Sequence, residues 1–510
     1  MDNSDNNRIA KNTLLLYLRM ILLFVVSFYT TRVLLQELGI ADFGLYNVVA
    51  GFVAMLGFMN QSMTNSIQRF LNFQLGKGSK PGVKKYFEVS LTTQILLAAI
   101  LVLIFETFGL WFLNTKMTIP ESKELSANIV FQLSFVSLLI GLVRDPYNAM
   151  IIAKEKMDFY AYVSIGEALL KLLIAFAVSW LPFDRLITYS VLLLLTTLFV
   201  YVCTVLYCQR LAPYLSFRLD FDKIVLKEVL SFGGWNLMGT ASGMAKSQGI
   251  NVLINMFFSV TVNAARGVAF QVLSGVQQFV MNFQVAINPQ IIQSFSSYNK
   301  ERYLRLTYLS AKISLYLMWL VTLPVILCID DILNVWLGSA NVPEFTAEFV
   351  IIVLFTGLFD SLGSSLSTSI YATGKIKSYQ IIVSLIKIMV LPLSYVAYLR
   401  GAMPAAAMYI SLTLAFFEQT LRVIIWCRLV HEPIVNYLKQ VAIRGLVVIM
   451  LSYFVCFYLM AIINIESQLL TILMSVFISI VINIIIIVVF ALNSGERDYL
   501  SSIVKSKIIK

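Results

Sequence analysis

Apolar stretches of about 20 residues, separated by short polar and charged segments, follow one another along the whole chain. Each is long enough to cross a hydrocarbon layer of about 30 Å as a helix. Their spacing predicts about fourteen helices. Seven run over 13–35, 43–67, 88–113, 125–152, 159–181, 187–208 and 229–257. Seven more run over 262–292, 307–329, 345–372, 379–399, 403–427, 441–463 and 468–491. No ten-residue alternating strands occur, which excludes a β-barrel. One stretch departs from the pattern. Trp235 to Gln290 holds Lys246, Gln248, Asn251 and Asn255 in one apolar run and Asn263 and Arg266 in a short turn. The next run carries Gln271, Gln277, Gln278, Asn282, Gln284, Asn288 and Gln290. Polar groups at such depth face a cavity or a partner helix, not lipid.

Composition agrees with this pattern. Of 510 residues, 59% are hydrophobic and 13% charged, and the mean hydropathy is +0.83; soluble domains carry about 25% charged residues. The predicted fold class is an all-α polytopic membrane protein. Met1 to Asn12 is polar and leads directly into an apolar run from Thr13 to Leu35 without a small-residue cleavage site, so that run is expected to be an uncleaved first span. Cys203, Cys208, Cys328, Cys427 and Cys456 lie in or at the ends of apolar runs with no Cys-x-x-Cys pair, and are read as free thiols with neither a metal nor a disulfide role.

The net charge of +11 is spread over many short loops, which argues for membrane topology and against nucleic acid. Arg69, Lys77, Lys80, Lys84 and Lys85 follow the second predicted helix, Lys154 and Lys156 the fourth, and Arg210, Arg218, Lys223 and Lys227 the sixth. Lys300, Arg302 and Arg305 follow the eighth, Lys375 and Lys377 the tenth, and Arg428, Lys439 and Arg444 the twelfth; the tail adds Arg497, Lys505, Lys507 and Lys510. The opposite loops hold little beyond Lys116, Lys123, Arg185, Arg266 and Arg400. The positive-inside rule then puts both termini in the cytoplasm.

Weak internal echoes suggest duplication. Arg32-Val33-Leu34-Leu35 resembles Asn251-Val252-Leu253-Ile254 at a shift of 219 residues (251 − 32), and Ala153 with Lys156 resembles Ala372 with Lys375 at the same shift (372 − 153). Met59-Asn60 and Gln68 recur as Met281-Asn282 and Gln290 at 222 (281 − 59); Trp111 and Pro120 are echoed by Trp336 and Pro343. The expected organisation is two pseudo-symmetric six-helix lobes, 1–208 and 229–440, a cytoplasmic linker at 209–228, and an addition at 441–510 comprising helices thirteen and fourteen and a tail. Parallel repeats of this kind place a substrate site between the halves.

The sequence resembles the lipid-linked oligosaccharide flippases (Wzx-type, polysaccharide biosynthesis proteins) of the multidrug/oligosaccharidyl-lipid/polysaccharide exporter superfamily. The resemblance runs through Arg32 to Gly51 (Leu38-Gly39, Phe43-Gly44-Leu45-Tyr46), Pro146 to Leu172 (Ala153-Lys154-Glu155-Lys156-Met157), Gln248 to Gln290 (Asn263-Ala264-Ala265-Arg266-Gly267, Pro289-Gln290) and Trp336 to Gln380 (Ala372-Thr373-Gly374-Lys375). It implies a two-lobed transporter of the bacterial inner membrane, serving O-antigen, lipopolysaccharide or other polysaccharide assembly. Such a protein moves undecaprenyl-pyrophosphate-linked oligosaccharide to the outer leaflet by alternating access, with membrane lipids, an H⁺ or Na⁺ gradient and the polysaccharide-assembly machinery as its partners. No cofactor is implied.

Passing a pyrophosphate and a glycan across hydrocarbon calls for a wet, cationic cavity, so cations at membrane depth are the informative residues. These are Arg19, Lys171, Lys246, Lys387 and Arg422, with Asn251 and Asn255 as hydroxyl-binding candidates. The shift of 219 carries Lys387 to position 168, one helical turn from Lys171. Glu167, Asp360 and Glu418, and less so Asp145, are candidates for ion coupling, since a carboxylate in low dielectric holds a proton more tightly. Each has a structural alternative. Glu167 with Lys171 and Glu418 with Arg422 stand at i, i+4 and can neutralise each other. Arg19 can snorkel to the interface. Arg32 and Arg266 are placed near the outer interface as headgroup contacts, and the asparagines and glutamines can simply tie helices together. Lys246 has no acidic neighbour at i±3 or i±4, and Gly239, Gly243 and Gly249 lie beside it.

An enzyme is not expected. The one histidine, His431, falls in a loop, and neither a metal-ligand cluster nor a phosphate-binding glycine loop occurs. The alternatives are a multidrug exporter of the same superfamily, with a cavity dominated by carboxylates, and a membrane-embedded glycan polymerase or acyltransferase. The last lacks its expected long outer loop and intramembrane histidine.

Overall fold

The computed structural model describes residues 3–491 except 56, 117, 118, 120–122, 216, 259, 340, 341 and 463–466. Pro120 and the basic tail carrying Arg497, Lys505, Lys507 and Lys510 lie outside the described residues. The described chain is almost wholly helical, an all-α multi-pass membrane protein. Its helices are α1 (Asn3–Met55), α2 (Gly57–Gly76), α3 (Lys80–Ile104), α4 (Leu110–Lys116), α5 (Glu124–Ala153), α6 (Met157–Ala177), α7 (Arg185–Leu211), α8 (Lys223–Phe257) and α9 (Val260–Ser296). They continue as α10 (Lys300–Leu327), α11 (Ile329–Leu337), α12 (Thr346–Thr373), α13 (Lys377–Leu399), α14 (Ala406–Val430), α15 (Ile434–Tyr437), α16 (Ile443–Ile462) and α17 (Gln468–Ile486). Among the described residues, 11 helical stretches are long and apolar enough to cross a membrane. The 35-residue α8 and 37-residue α9 are not among them. They contain the polar stretch that the sequence singles out.

Several helix ends depart from the predicted ones. The helix predicted from 88 begins at Lys80, and the one predicted from 229 begins at Lys223. Apolar runs mark hydrocarbon, whereas helices continue through polar turns until a cap ends them. Ser79 caps α3, its Oγ accepting from Gly82 N at 3.1 Å, with Pro81 in the first turn. Asp222 caps α8, its carboxylate accepting from Ile224 N at 2.9 Å and Val225 N at 3.1 Å. These amides and Lys85, which lies 2.5 Å from Asp222, hold the half-buried Asp222 carboxyl below its ordinary pKa, with Lys85 the larger cause. The loop expected between the first two helices is reduced to a single residue. Gly39, at φ 78 and ψ 165, is the one non-helical residue inside α1, a backbone region essentially restricted to glycine.

The helices pack as two compact units. The first holds the described residues to Ala241 and Val285–Lys300; the second holds Ser242–Gln284 and the described residues from Glu301. Their boundaries therefore run within α8 and α9, whereas the sequence draws its lobes around a linker at 209–228.

In the first unit α1 packs on α6, α5 on α7, and α2 on both α3 and α5. Apolar clusters around Phe87, Phe131 and Val178 are joined by hydrogen bonds that reach across helices. Ser62 Oγ donates to Gly233 O at 2.8 Å, and Asn236 Nδ2 returns a bond to Ser62 O at 3.0 Å. Gln293 Nε2 donates to both Asn72 Oδ1 at 3.0 Å and Ala153 O at 2.9 Å. In the second unit the core centres on Trp319, Phe349 and Leu354. Hydroxyls line the contact of α10 with α12: Ser310 and Ser365 meet at 2.9 Å and Thr307 and Ser369 at 3.1 Å. Small hydroxyl residues let helices approach and satisfy each other's polar groups where water is scarce.

At Gly76 two helices of the first unit come so close that an added Cβ would sit 1.8 Å from Ser296 Oγ and 2.5 Å from the backbone oxygen of Gln293. A backbone atom cannot rotate away. Gly76→Ala is therefore expected to destabilise the detergent-solubilised protein by about 1–3 kcal/mol, read as a lowered midpoint of thermal denaturation.

Candidate functional sites

The first unit holds an open cleft of about 560 Å³, within the usual range for small-molecule sites of roughly 300–1,000 Å³. Its polar wall follows from helix periodicity. Tyr160, Ser164, Glu167 and Lys171 recur at i, i+4, i+7 and i+11, so α6 turns one polar stripe inward. Arg19 and Thr30 of α1 and Arg144 and Asn148 of α5 face the same space. Lys171 Nζ lies 2.7 Å from Glu167 Oε1, and Arg144 Nη1 lies 3.8 Å from Glu167 Oε2. The Arg19 guanidinium stands 4.5 Å from the centroid of the Tyr160 ring. Three cations thus share one carboxylate, leaving the cavity net cationic. Two donors there remain unused: Arg19 Nε and Arg144 Nε are both buried with no acceptor.

Sequence reasoning places Arg19, Lys171 and Glu167 here but misses Arg144. The available signal is its neighbour. Arg144 and Asp145 read as an adjacent pair, yet consecutive helical residues point in different directions and cannot face one another. Asp145 instead accepts from Thr64 Oγ1 of α2 at 2.8 Å, which frees Arg144 for the cavity.

The second unit gathers a different set of charges. Arg422 is buried and fully engaged. It bonds Glu418 of its own helix, donates from Nη1 to Gln419 Oε1 at 3.0 Å, and donates from Nε to Tyr379 Oη at 3.1 Å. Gly363 makes room for it, since a Cβ there would lie 1.7 Å from Arg422 Nη1. Lys387 of α13 approaches Glu418 Oε1 at 4.0 Å. Lys246 of α8 is half-buried, and its charge interacts with Asp360, Glu418 and Lys387 on three neighbouring helices. Asp360 is exposed; a carboxylate turned to lipid would be costly, so a wet recess is the consistent surrounding.

The remaining candidates are placed as follows. Asn251 Oδ1 accepts from Arg266 Nη1, and its Nδ2 donates to Gln248 Oε1 at 3.1 Å. Asn255 is exposed. The reading of Arg266 as an interfacial headgroup contact is corrected. Arg266 is buried, donates to Ser247 O at 3.0 Å, and stacks 4.2 Å from the Phe270 ring centroid. Arg266 lies two turns inside α9 and not in a loop, so a count of loop charges does not register its burial. Gln284 and Gln290 serve as ties between helices: Gln284 Nε2 donates to Ser314 Oγ at 3.0 Å, and Gln290 Nε2 to Glu155 Oε2 at 3.0 Å.

No protein-family model matches the sequence, and no curated protein matches it. Solved structures do. A multidrug resistance MATE family transporter of the MOP superfamily, in an outward-facing conformation, superposes with a TM-score of 0.69 at 13% identity, covering 83% of this chain and 96% of that one. A MOP superfamily transporter from Pyrococcus furiosus, described for the reverse polarity of its binding pocket, gives 0.69 at 11% identity over 83% and 96%. A MATE transporter in the bent conformation gives 0.69 at 12% identity over 84% and 98%. At such identities the likeness establishes the fold.

The two charge clusters are expected to respond differently to substitution. Arg422→Gln strands a buried Glu418 and should cost about 3–5 kcal/mol, with much of the loss recovered by adding Glu418→Gln. Arg144→Gln, at a half-buried position, should cost about 1 kcal/mol or less. Thermal survival followed by size-exclusion chromatography distinguishes these outcomes.

Proposed function

We propose that this chain is a transporter of the MOP superfamily whose substrate carries an anionic head, and that it flips undecaprenyl-pyrophosphate-linked oligosaccharide across the inner membrane by alternating access. The observation that carries the reading is the pair of buried, unpartnered guanidinium donors, Arg19 Nε and Arg144 Nε, on the wall of a net cationic cavity. A pyrophosphate offers the acceptors these donors lack, and guanidinium–phosphate bonds are among the stronger hydrogen bonds available. Tyr160, Ser164 and Asn148 would receive sugar hydroxyls, and Lys246 and Lys387 would supply further positive charge in the second unit. The distribution of Lys and Arg among the loops supports cytoplasmic termini. Coupling to an H⁺ or Na⁺ gradient and contact with polysaccharide-assembly proteins belong to the same reading. The matched structures are covered almost end to end while this chain is covered to 83%, which fits α16 and α17 as an addition to a twelve-helix transporter.

A second reading, export of cationic drugs, is favoured by the fold it shares with a multidrug resistance transporter. Such a substrate would need Glu167 free, and Glu167 lies 2.7 Å from Lys171 and 3.8 Å from Arg144.

The test is reconstitution into vesicles with fluorescent lipid-linked oligosaccharide. Wild type should flip it, Arg19→Gln and Arg144→Gln should each slow it about tenfold or more through loss of a charged hydrogen bond, and Lys246→Ala should abolish flipping at normal membrane levels. Ethidium efflux without glycolipid flipping would sink this reading and favour the second.

A further inference from the structure

The connection between α7 and α8 carries large apolar side chains that the rest of the described chain leaves uncovered. Residues 217–222 form no helix, yet Phe217 is 58% exposed, Leu219 41% and Phe221 58%, and Ile224 in the first turn of α8 is 74% exposed. Neighbouring exposed apolar groups of this size mark a surface that something else covers. The way the segment is fastened explains their direction. Asp220 N donates to Thr92 Oγ1 at 3.0 Å, and the Asp222 carboxylate lies 2.5 Å from Lys85, both partners being on α3. Asp222 N also donates to Asp220 Oδ1 at 3.0 Å, which fixes the two aspartates together. Alternate residues of an extended chain face opposite ways, so holding positions 220 and 222 to α3 turns Phe217, Leu219 and Phe221 away from it.

Depth and charge identify what covers them. Thr92 stands about one turn inside the apolar run that begins at 88, so the segment tied to it lies at the level where hydrocarbon meets headgroups, not out in the water. Arg218, Lys223 and Lys227 are exposed around the apolar groups, and none of the three has a carboxylate within ion-pair distance among the described residues. Nearby charges are already engaged. Lys85 is held by Asp222, Lys84 approaches Glu88 at 3.9 Å, and Glu228 accepts from Tyr86 Oη at 2.5 Å. Lys77 and Lys154 stand over the rings of Phe73 and Tyr214, at 4.7 Å and 5.8 Å from their centroids. Aromatic and aliphatic groups with unanswered cations between them complement a bilayer surface bearing negative headgroups.

We infer that the connection from Phe217 to Lys227 is a docking surface for anionic phospholipid. Phe217, Phe221 and Ile224 enter the bilayer beneath the headgroups, and Arg218, Lys223 and Lys227 bind the lipid phosphates. The inference goes beyond the transporter reading and holds whatever the substrate. The experiment uses the full-length protein in nanodiscs. Phe221→Trp adds a tryptophan whose emission, taken as the difference from wild type, is titrated with phosphatidylglycerol or phosphatidylcholine spin-labelled near the top of the acyl chain. Both lipids quench it, and phosphatidylglycerol does so at the lower mole fraction. Arg218→Gln, Lys223→Gln and Lys227→Gln each narrow that preference by up to about fivefold, and the three together remove it. Replacing Lys375 and Lys377, which are basic but lie on another connection, leaves it unchanged. The substituted side chains are exposed, so elution on size exclusion stays that of wild type. Absence of quenching by either lipid would mean that water or a protein partner covers the segment. That result, equal quenching by both lipids, or a preference unmoved by the triple substitution overturns the inference.

Discussion

A charge moved from water into the middle of a bilayer must be matched by another charge, by water or by a bound ion, because nothing in hydrocarbon will solvate it. That constraint sorts the intramembrane residues of this protein into groups with different uses. Arg422 with Glu418, Gln419 and Tyr379 is closed on itself, each donor spent on a neighbour, and serves to hold α13 against α14. Arg19 and Arg144 are left open, each with a buried donor unmatched. The same guanidinium group is a brace in one setting and a receptor in the other. The number of acceptors the surrounding helices provide decides between them.

The balance of charge in each cluster then sets what each can hold. In the first unit three cations meet a single carboxylate, so an added anion lowers the electrostatic energy and an added cation raises it. In the second unit Lys246, Lys387 and Arg422 interact with Asp360 and Glu418, three cations against two carboxylates, so this cluster too carries a net positive charge, though a smaller one. The uncharged polar residues do a third kind of work. Ser62, Gln284, Gln293 and Ser365 spend their hydrogen bonds between helices, where the alternative is an unsatisfied group in lipid.

Much of this is legible in the chain alone. A continuous apolar run long enough for a span admits little other than a helix, so the helical architecture and the peculiarity of α8 and α9 follow directly from hydropathy. Helix ends do not, because Ser79 and Asp222 act through backbone amides that hydropathy does not weigh. Arg19, Glu167 and Lys171 are recognisable as charges out of place. Arg144 escapes notice because an acid adjoins it in sequence, and the helical rotation that separates the two is invisible until the partners on α2 and α6 are known. Asn251 shows the converse: its polarity is evident from sequence, but its partner Arg266 stands on the next helix, α9, a pairing that sequence spacing does not reveal.

Gly39 joins two long helical arms through one pair of torsion angles. A loop of several residues would distribute a change of angle over many soft rotations, each moving little. Here the whole change falls on a single φ and ψ, in a region of backbone space that side chains forbid. The direction in which the chain leaves the first arm is thus set at one position, and only glycine can hold it there.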